Sequence, residues 1–141
     1  MRHKLLGAAG GLVALLALAV PASADMVKFK ASLKGSSEVP ANQTGGTGNV
    51  TATYNTASKQ LTWDGTYSGL TGPATAAHFH GPAAPGQNAG VAVPITPPTS
   101  PMRGTATLTD AQAADLMAGK WYVNVHTDAN KGGEIRGQLM K

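Results

Sequence analysis

Between residues 27 and 139, hydrophobic and polar positions alternate in short runs instead of recurring at helical spacing. The segments VKFKASL (27–33), NVTATYN (49–55), QLTWDGTYSGL (60–70), TAAHFH (75–80), VAVPI (91–95), RGTATL (103–108), WYVNVHT (121–127) and EIRGQL (134–139) alternate or are rich in β-branched residues. That is the period-two signature of strands with one buried face. Turn-forming stretches separate them, among them NQTGGTG, GPAAPGQNAG, PPTSP and DANKGG. Eight short strands at this spacing predict an all-β fold, an antiparallel sandwich or barrel of Greek-key type. One helix interrupts the pattern. Thr109 stands three residues before Gln112, the arrangement of a capping box, and Gly119 marks the stop. Ala113, Leu116 and Met117 give this short helix an apolar face that can lie over one end of the β structure.

The alternation also sorts the histidines. Successive strand residues point to opposite faces, so an inward Phe79 places His78 and His80 together on the outer face, their Cα atoms about 6.7 Å apart. Inward Val123 and Val125 likewise place Tyr122, Asn124 and His126 outward. If the two strands are neighbours, three imidazoles converge into a site that suits copper or zinc with a position left open. Parity does not say whether they are neighbours. Against the metal stands the ordinary fate of histidine, which on most surfaces is merely solvated or hydrogen-bonded, and an HxH pair also arises by chance.

Composition narrows the setting. Arg2, His3 and Lys4, the apolar run LLGAAGGLVALLALAV and the small residues Ala22-Ser23-Ala24 read as a signal peptide over residues 1–24, cut before Asp25. The run is too short for a membrane span, and nothing later replaces it. Removing 24 of 141 residues leaves 117, the size of one domain, residues 25–141. Without Arg2 and Lys4, nine basic residues face seven acidic ones, and they form no stripe interleaved with aromatics, which argues against nucleic acid. An exported chain without cysteine has neither disulfides nor thiolate ligands, so a metal would need imidazole, carboxylate, methionine or backbone oxygen.

The segments HFHGPA, NAGVAVP and LMAGKWYVNVHTDANKGGEIRGQL resemble the chordin-domain (CHRD) family of exported bacterial proteins and of animal chordin, nearly throughout residues 27–139. The resemblance implies an immunoglobulin-like β-barrel distantly similar to copper/zinc superoxide dismutase, and no settled biochemical role. HFH at 78–80 is similar to the dismutase copper-binding HxH, and VNVH, ending in His126, is similar to its third copper ligand. Arg136 corresponds loosely to the anion-guiding arginine. No histidine lies between His80 and His126, and the dismutase disulfide is missing. A copper/zinc dismutase is therefore excluded by ligand count, which leaves a copper-only redox enzyme as one alternative.

Four further residues accompany the histidines. Glu134 and Arg136 flank inward Ile135 and are expected to form an exposed ion pair, or else to orient a group near His126. Asp128, just past His126, could bond a ring nitrogen or serve the DANKGG turn. Asn124 shares the histidine face. No Ser-His-Asp set, paired carboxylates, P-loop or dinucleotide fingerprint supports a hydrolase or nucleotide enzyme. The expected function is that of an exported module, periplasmic or secreted, binding one copper ion through His78, His80 and His126, with zinc less favoured. The competing reading is a metal-free module whose Gly81–Gly90 loop contacts an extracellular protein.

Overall fold

The structure is a computed structural model that describes residues 16–20 and 23–141. The basic start of the expected signal peptide and most of its apolar run lie outside the described residues. All eight predicted strands form: β1 (Met26–Lys34), β2 (Thr47–Asn55), β3 (Gln60–Ser68), β4 (Ala74–His80), β5 (Val91–Pro94), β6 (Met102–Thr107), β7 (Tyr122–Thr127) and β8 (Ile135–Gln138). They make one antiparallel sheet in the order β5-β4-β7-β8-β1-β2-β3-β6, curled into a nearly closed barrel. Strands β1 to β3 form a meander. The chain then crosses to β4, and β7 later returns to lie between β4 and β8.

Inward positions of all these strands meet in one core. Phe29, Leu33, Leu61, Phe79, Trp121, Val123, Val125 and Ile135 are buried as the alternation predicts. The Phe79 ring meets the edge of Trp63 from the opposite wall at 5.2 Å, and Trp121 lies 6.0 Å away. Gly104 on β6 leaves room for this packing, since a Cβ there would stand 2.4 Å from the Trp63 ring. The predicted helix is α1 (Asp110–Met117), with Thr109 and Gln112 forming the reciprocal capping box and Gly119 following at φ +73°. Buried Leu116 and Ala113 press α1 into the core, and Gln112 Nε2 donates to the Ala92 carbonyl of β5 at 3.1 Å. The helix thereby ties down one of the two strands at the open seam. Unpaired strand edges invite association with other chains, and this contact blunts one of them.

Strands β4 and β7 are hydrogen-bonded neighbours, with Ala76 opposite His126 and His78 opposite Asn124. This pairing brings the three histidines together. Facing outward does not make them fully exposed, however. The 81–90 loop, the 35–44 segment and the 128–133 turn fold over the outer face of β4, β7 and β8. Beneath them Tyr122, Asn124, Glu134 and Arg136 are buried, His80 is 8% exposed, and His78 and His126 are half-buried.

Phe79→Ala removes a completely buried ring and is expected to cost about 3–5 kcal/mol, whereas Thr66→Ala on the exposed face of β3 should stay within about 0.5 kcal/mol. Denaturant midpoints of the two variants check this order.

Candidate metal centre

The imidazoles of His78, His80 and His126 each offer a nitrogen, all within 4.8 Å of one another. The closest pair is His78 Nδ1 and His126 Nε2, 3.1 Å apart. Two nitrogens on one ion with bonds of about 2.0–2.1 Å can lie at most about 4.2 Å apart. The close pair already satisfies that limit, and a separation of 4.8 Å needs a closure of at least about 0.6 Å.

Backbone oxygens decide which nitrogens are free. A carbonyl only accepts, so His126 Nδ1 must carry the hydrogen donated to the Lys131 carbonyl at 2.8 Å, and Nε2 is left with its lone pair toward His78. By the same reasoning His80 Nδ1 donates to the Ala89 carbonyl at 2.9 Å, which leaves Nε2 bare. Fixing the outer N–H of an imidazole in this way is how proteins orient metal-binding histidines. Burial lowers the pKa of His78, helped by the neighbouring imidazoles. Burial also lowers that of His80 and outweighs its bonds to Ala89 and Asn124, which act the other way. Neutral rings are the form in which imidazole binds metal.

The sequence-predicted companions take different places. Asn124 belongs to the centre, its Oδ1 2.9 Å from His80 Nε2. Asp128 does not, because it is exposed in the turn after β7 and the Lys131 carbonyl takes the bond at His126. The expected exposed Glu134–Arg136 pair is also corrected. Both residues are buried, and each bonds to other groups, because the covering loops supply partners that strand parity could not reveal. Glu134 accepts from five donors: Thr44 Oγ1, the Thr71 amide and hydroxyl, Thr127 Oγ1 and Asn130 Nδ2. Burial alone would raise its pKa, but these bonds prevail and hold it at about 2. With every bond a donated one, this carboxylate presents no free oxygen to a cation.

Arg136 lies 3.4 Å above the Tyr122 ring and donates to Asn88 Oδ1 and the Gln87 carbonyl. Tyr122 stacks its other face on His80 at 4.7 Å, and its hydroxyl bonds to Ala89. The stack His80–Tyr122–Arg136 thus clamps the 81–90 loop, and with it the carbonyl that orients His80.

Sequence reasoning missed Glu38 altogether. It lies just after a single turn of 3-10 helix (Gly35–Ser37), is 5% exposed, and its Oε1 has no hydrogen-bond partner among the described residues. Burial pushes its pKa up to about 7, against the pull of the Arg136 charge and the Asn124 amide. Clefts of about 240 and 250 Å³ flank Glu38, and no histidine lines either one.

Fold and centre together describe a small β-barrel module carrying a polar, histidine-bearing patch beneath its loops. The chain matches the CHRD domain over residues 29–139, most of its length, and it belongs to that family. No curated protein and no solved structure matches it.

The two buried carboxyls give opposite pH dependence. Glu134 is depressed in the fold, so its contribution to stability is complete above about 4.5 and is lost as pH falls through about 2. Glu38 is raised, so its contribution is complete below about 4.5 and is lost as pH rises through about 7. Glu134→Gln is therefore expected to lose at least about 3 kcal/mol at pH 7 and to flatten the acid limb of the stability curve. Glu38→Gln is expected to exceed the wild type at pH 8 by up to about 3 kcal/mol and to match it near pH 4.5. Urea unfolding from pH 3 to pH 8 measures both.

Proposed function

We propose that this CHRD domain is an exported metal-binding module that holds one copper ion through His78, His80 and His126. The observation that carries the reading is the tautomer lock. Two of the three rings have their outer N–H committed to a backbone carbonyl, at Ala89 and Lys131, and the inner nitrogens of His78 and His126 face each other at 3.1 Å. A patch of merely solvated histidines has no need of such orientation.

Family membership supports a binding module, and the donor set narrows the ligand. Three imidazoles without thiolate suit Cu(II) and, less strongly, Zn(II), and the order of divalent affinities favours copper at nitrogen sites. When bound, copper would supply a Lewis acid or a one-electron couple, and this chain's residues would orient the rings. The core does not depend on the ion, because the barrel closes over its own apolar residues. Export is supported by the leader-like start, in which Arg2, His3 and Lys4 precede an apolar run that ends at Ala22-Ser23-Ala24. Among the described residues no helix is long and apolar enough to cross a membrane.

The protein, free of any affinity tag, is expected to bind one Cu(II) per chain, with His126→Ala and His78→Ala weakening the binding to a similar extent in calorimetric titration. Equal affinity for wild type and His126→Ala would leave the histidines as separate surface groups and favour the metal-free module contacting a protein through its 81–90 loop. Chelation should leave cooperative thermal unfolding intact, since the ion would sit on the barrel and not inside it.

A further inference from the structure

His80 is in an unusual position. With its Nδ1–H committed to Ala89, the neutral ring has a bare lone pair at Nε2, and the atom facing that lone pair at 2.9 Å is Asn124 Oδ1, another acceptor. A proton between them would make the ring an imidazolium; in the neutral form, the one that binds metal, the place between the two atoms is open to a cation. Turning the Asn124 amide over would place Nδ2 against His80, yet the surroundings of Nδ2 oppose the turn. The Gly132 carbonyl lies 3.4 Å from Nδ2, and the Glu38 carboxyl is on the same side, near enough for the amide to favour its ionised form. Both offer acceptor oxygens that want the N–H₂ end. Gly133 makes this closeness possible, because a Cβ there would stand 2.4 Å from Glu38 Oε1 and 2.5 Å from Asn124 Nδ2. Its φ of +128° is likewise one that glycine tolerates and other residues rarely adopt.

Two lone pairs held face to face by their own supporting shells are stabilised by a cation between them. We propose that Asn124 Oδ1 is a fourth, oxygen ligand of the histidine centre, and that Glu38 is the positioning residue which turns that oxygen inward. The proposal rests on the metal reading above and extends it to a site of three nitrogens and one neutral oxygen. The register agrees: Asn124 lies directly opposite His78 and two residues from His126 on the same face of β7. The separation of 2.9 Å between Nε2 and Oδ1 is one that two ligands of a single ion take with bonds of about 2.0–2.2 Å. Such a site needs no acidic ligand. The Glu38 carboxyl acts through the amide and never on the ion.

The test uses Zn(II) as a diamagnetic probe together with Cu(II). In protein labelled with ¹³C and ¹⁵N, the Asn124 side-chain carbonyl carbon is expected to shift on saturation with Zn(II), along with the ring nitrogens of all three histidines. Asn124→Leu should weaken both metals about 10–100-fold at unchanged stoichiometry, while Asn124→Asp, which keeps an oxygen in place, should retain binding. Glu38→Leu should weaken binding several-fold, and Glu38→Gln, whose amide oxygen can still accept from Nδ2, should restore it. An Asn124 carbonyl carbon unmoved by Zn(II), with the histidine nitrogens shifted, overturns the proposal and leaves the three-histidine site standing. That measurement needs no variant to fold. If neither metal binds the wild type, or His126→Ala binds as tightly as it does, the metal reading falls and this proposal with it.

Discussion

The outer face of β4, β7 and β8 depends on the burial of one ionised carboxylate. Glu134 is buried and has no cationic partner among the described residues, and it is held by hydrogen bonds from residues 44, 71, 127 and 130. An anion taken out of water costs several kcal/mol unless every lone pair is met, so these segments are obliged to converge on it. Its own carbonyl also receives Asn42 Nδ2 at 2.9 Å. A chain with no disulfide thus staples its loops with a single charged hub. Because the hub grips Thr127 and Asn130, it shapes the turn in which Lys131 offers the carbonyl that orients His126.

A second anchoring device acts on the other side of the histidines. Arg136 and Tyr122 form layers under the 81–90 loop, and the loop's Ala89 carbonyl accepts from both Tyr122 and His80. Neither device touches the proposed ion. Both determine where the imidazole hydrogens can be, and hydrogen placement on a ring decides which nitrogen is left to bind. The centre is therefore preorganised by the loops, while the strands supply only its spacing. The apolar barrel beneath can form without it, which separates the stability of the domain from occupancy of the site.

Much of the barrel was legible in the chain because each strand states its own inward face. Phe79, Val123 and Val125 are buried as their alternation requires, and Thr109, Gln112 and Gly119 bound the helix as capping chemistry requires. Parity also placed His78, His80, Asn124 and His126 on one side of the sheet. What parity cannot reveal is what lies above that side. Glu134 and Arg136 read as an exposed pair because strand alternation distinguishes only core from not-core, and here a layer of loops makes a third environment. Local sequence left Asp128 open between a partner of His126 and a turn residue; the turn carries it into solvent and delivers the Lys131 carbonyl to the ring.

Local sequence by itself determined the strands, the helix and its caps, the residues that fill the barrel, and the absence of thiol chemistry, since each follows from side-chain period or residue type within a few positions. Only the tertiary structure decided that β4 and β7 are neighbours, that Glu38 lies beside Asn124 across a span from residue 38 to residue 124, and that backbone oxygens of two loops fix the histidine tautomers. These are long-range contacts set by the closing of the barrel. No local pattern encodes them, because a strand's alternation is satisfied by any neighbour that buries its apolar face.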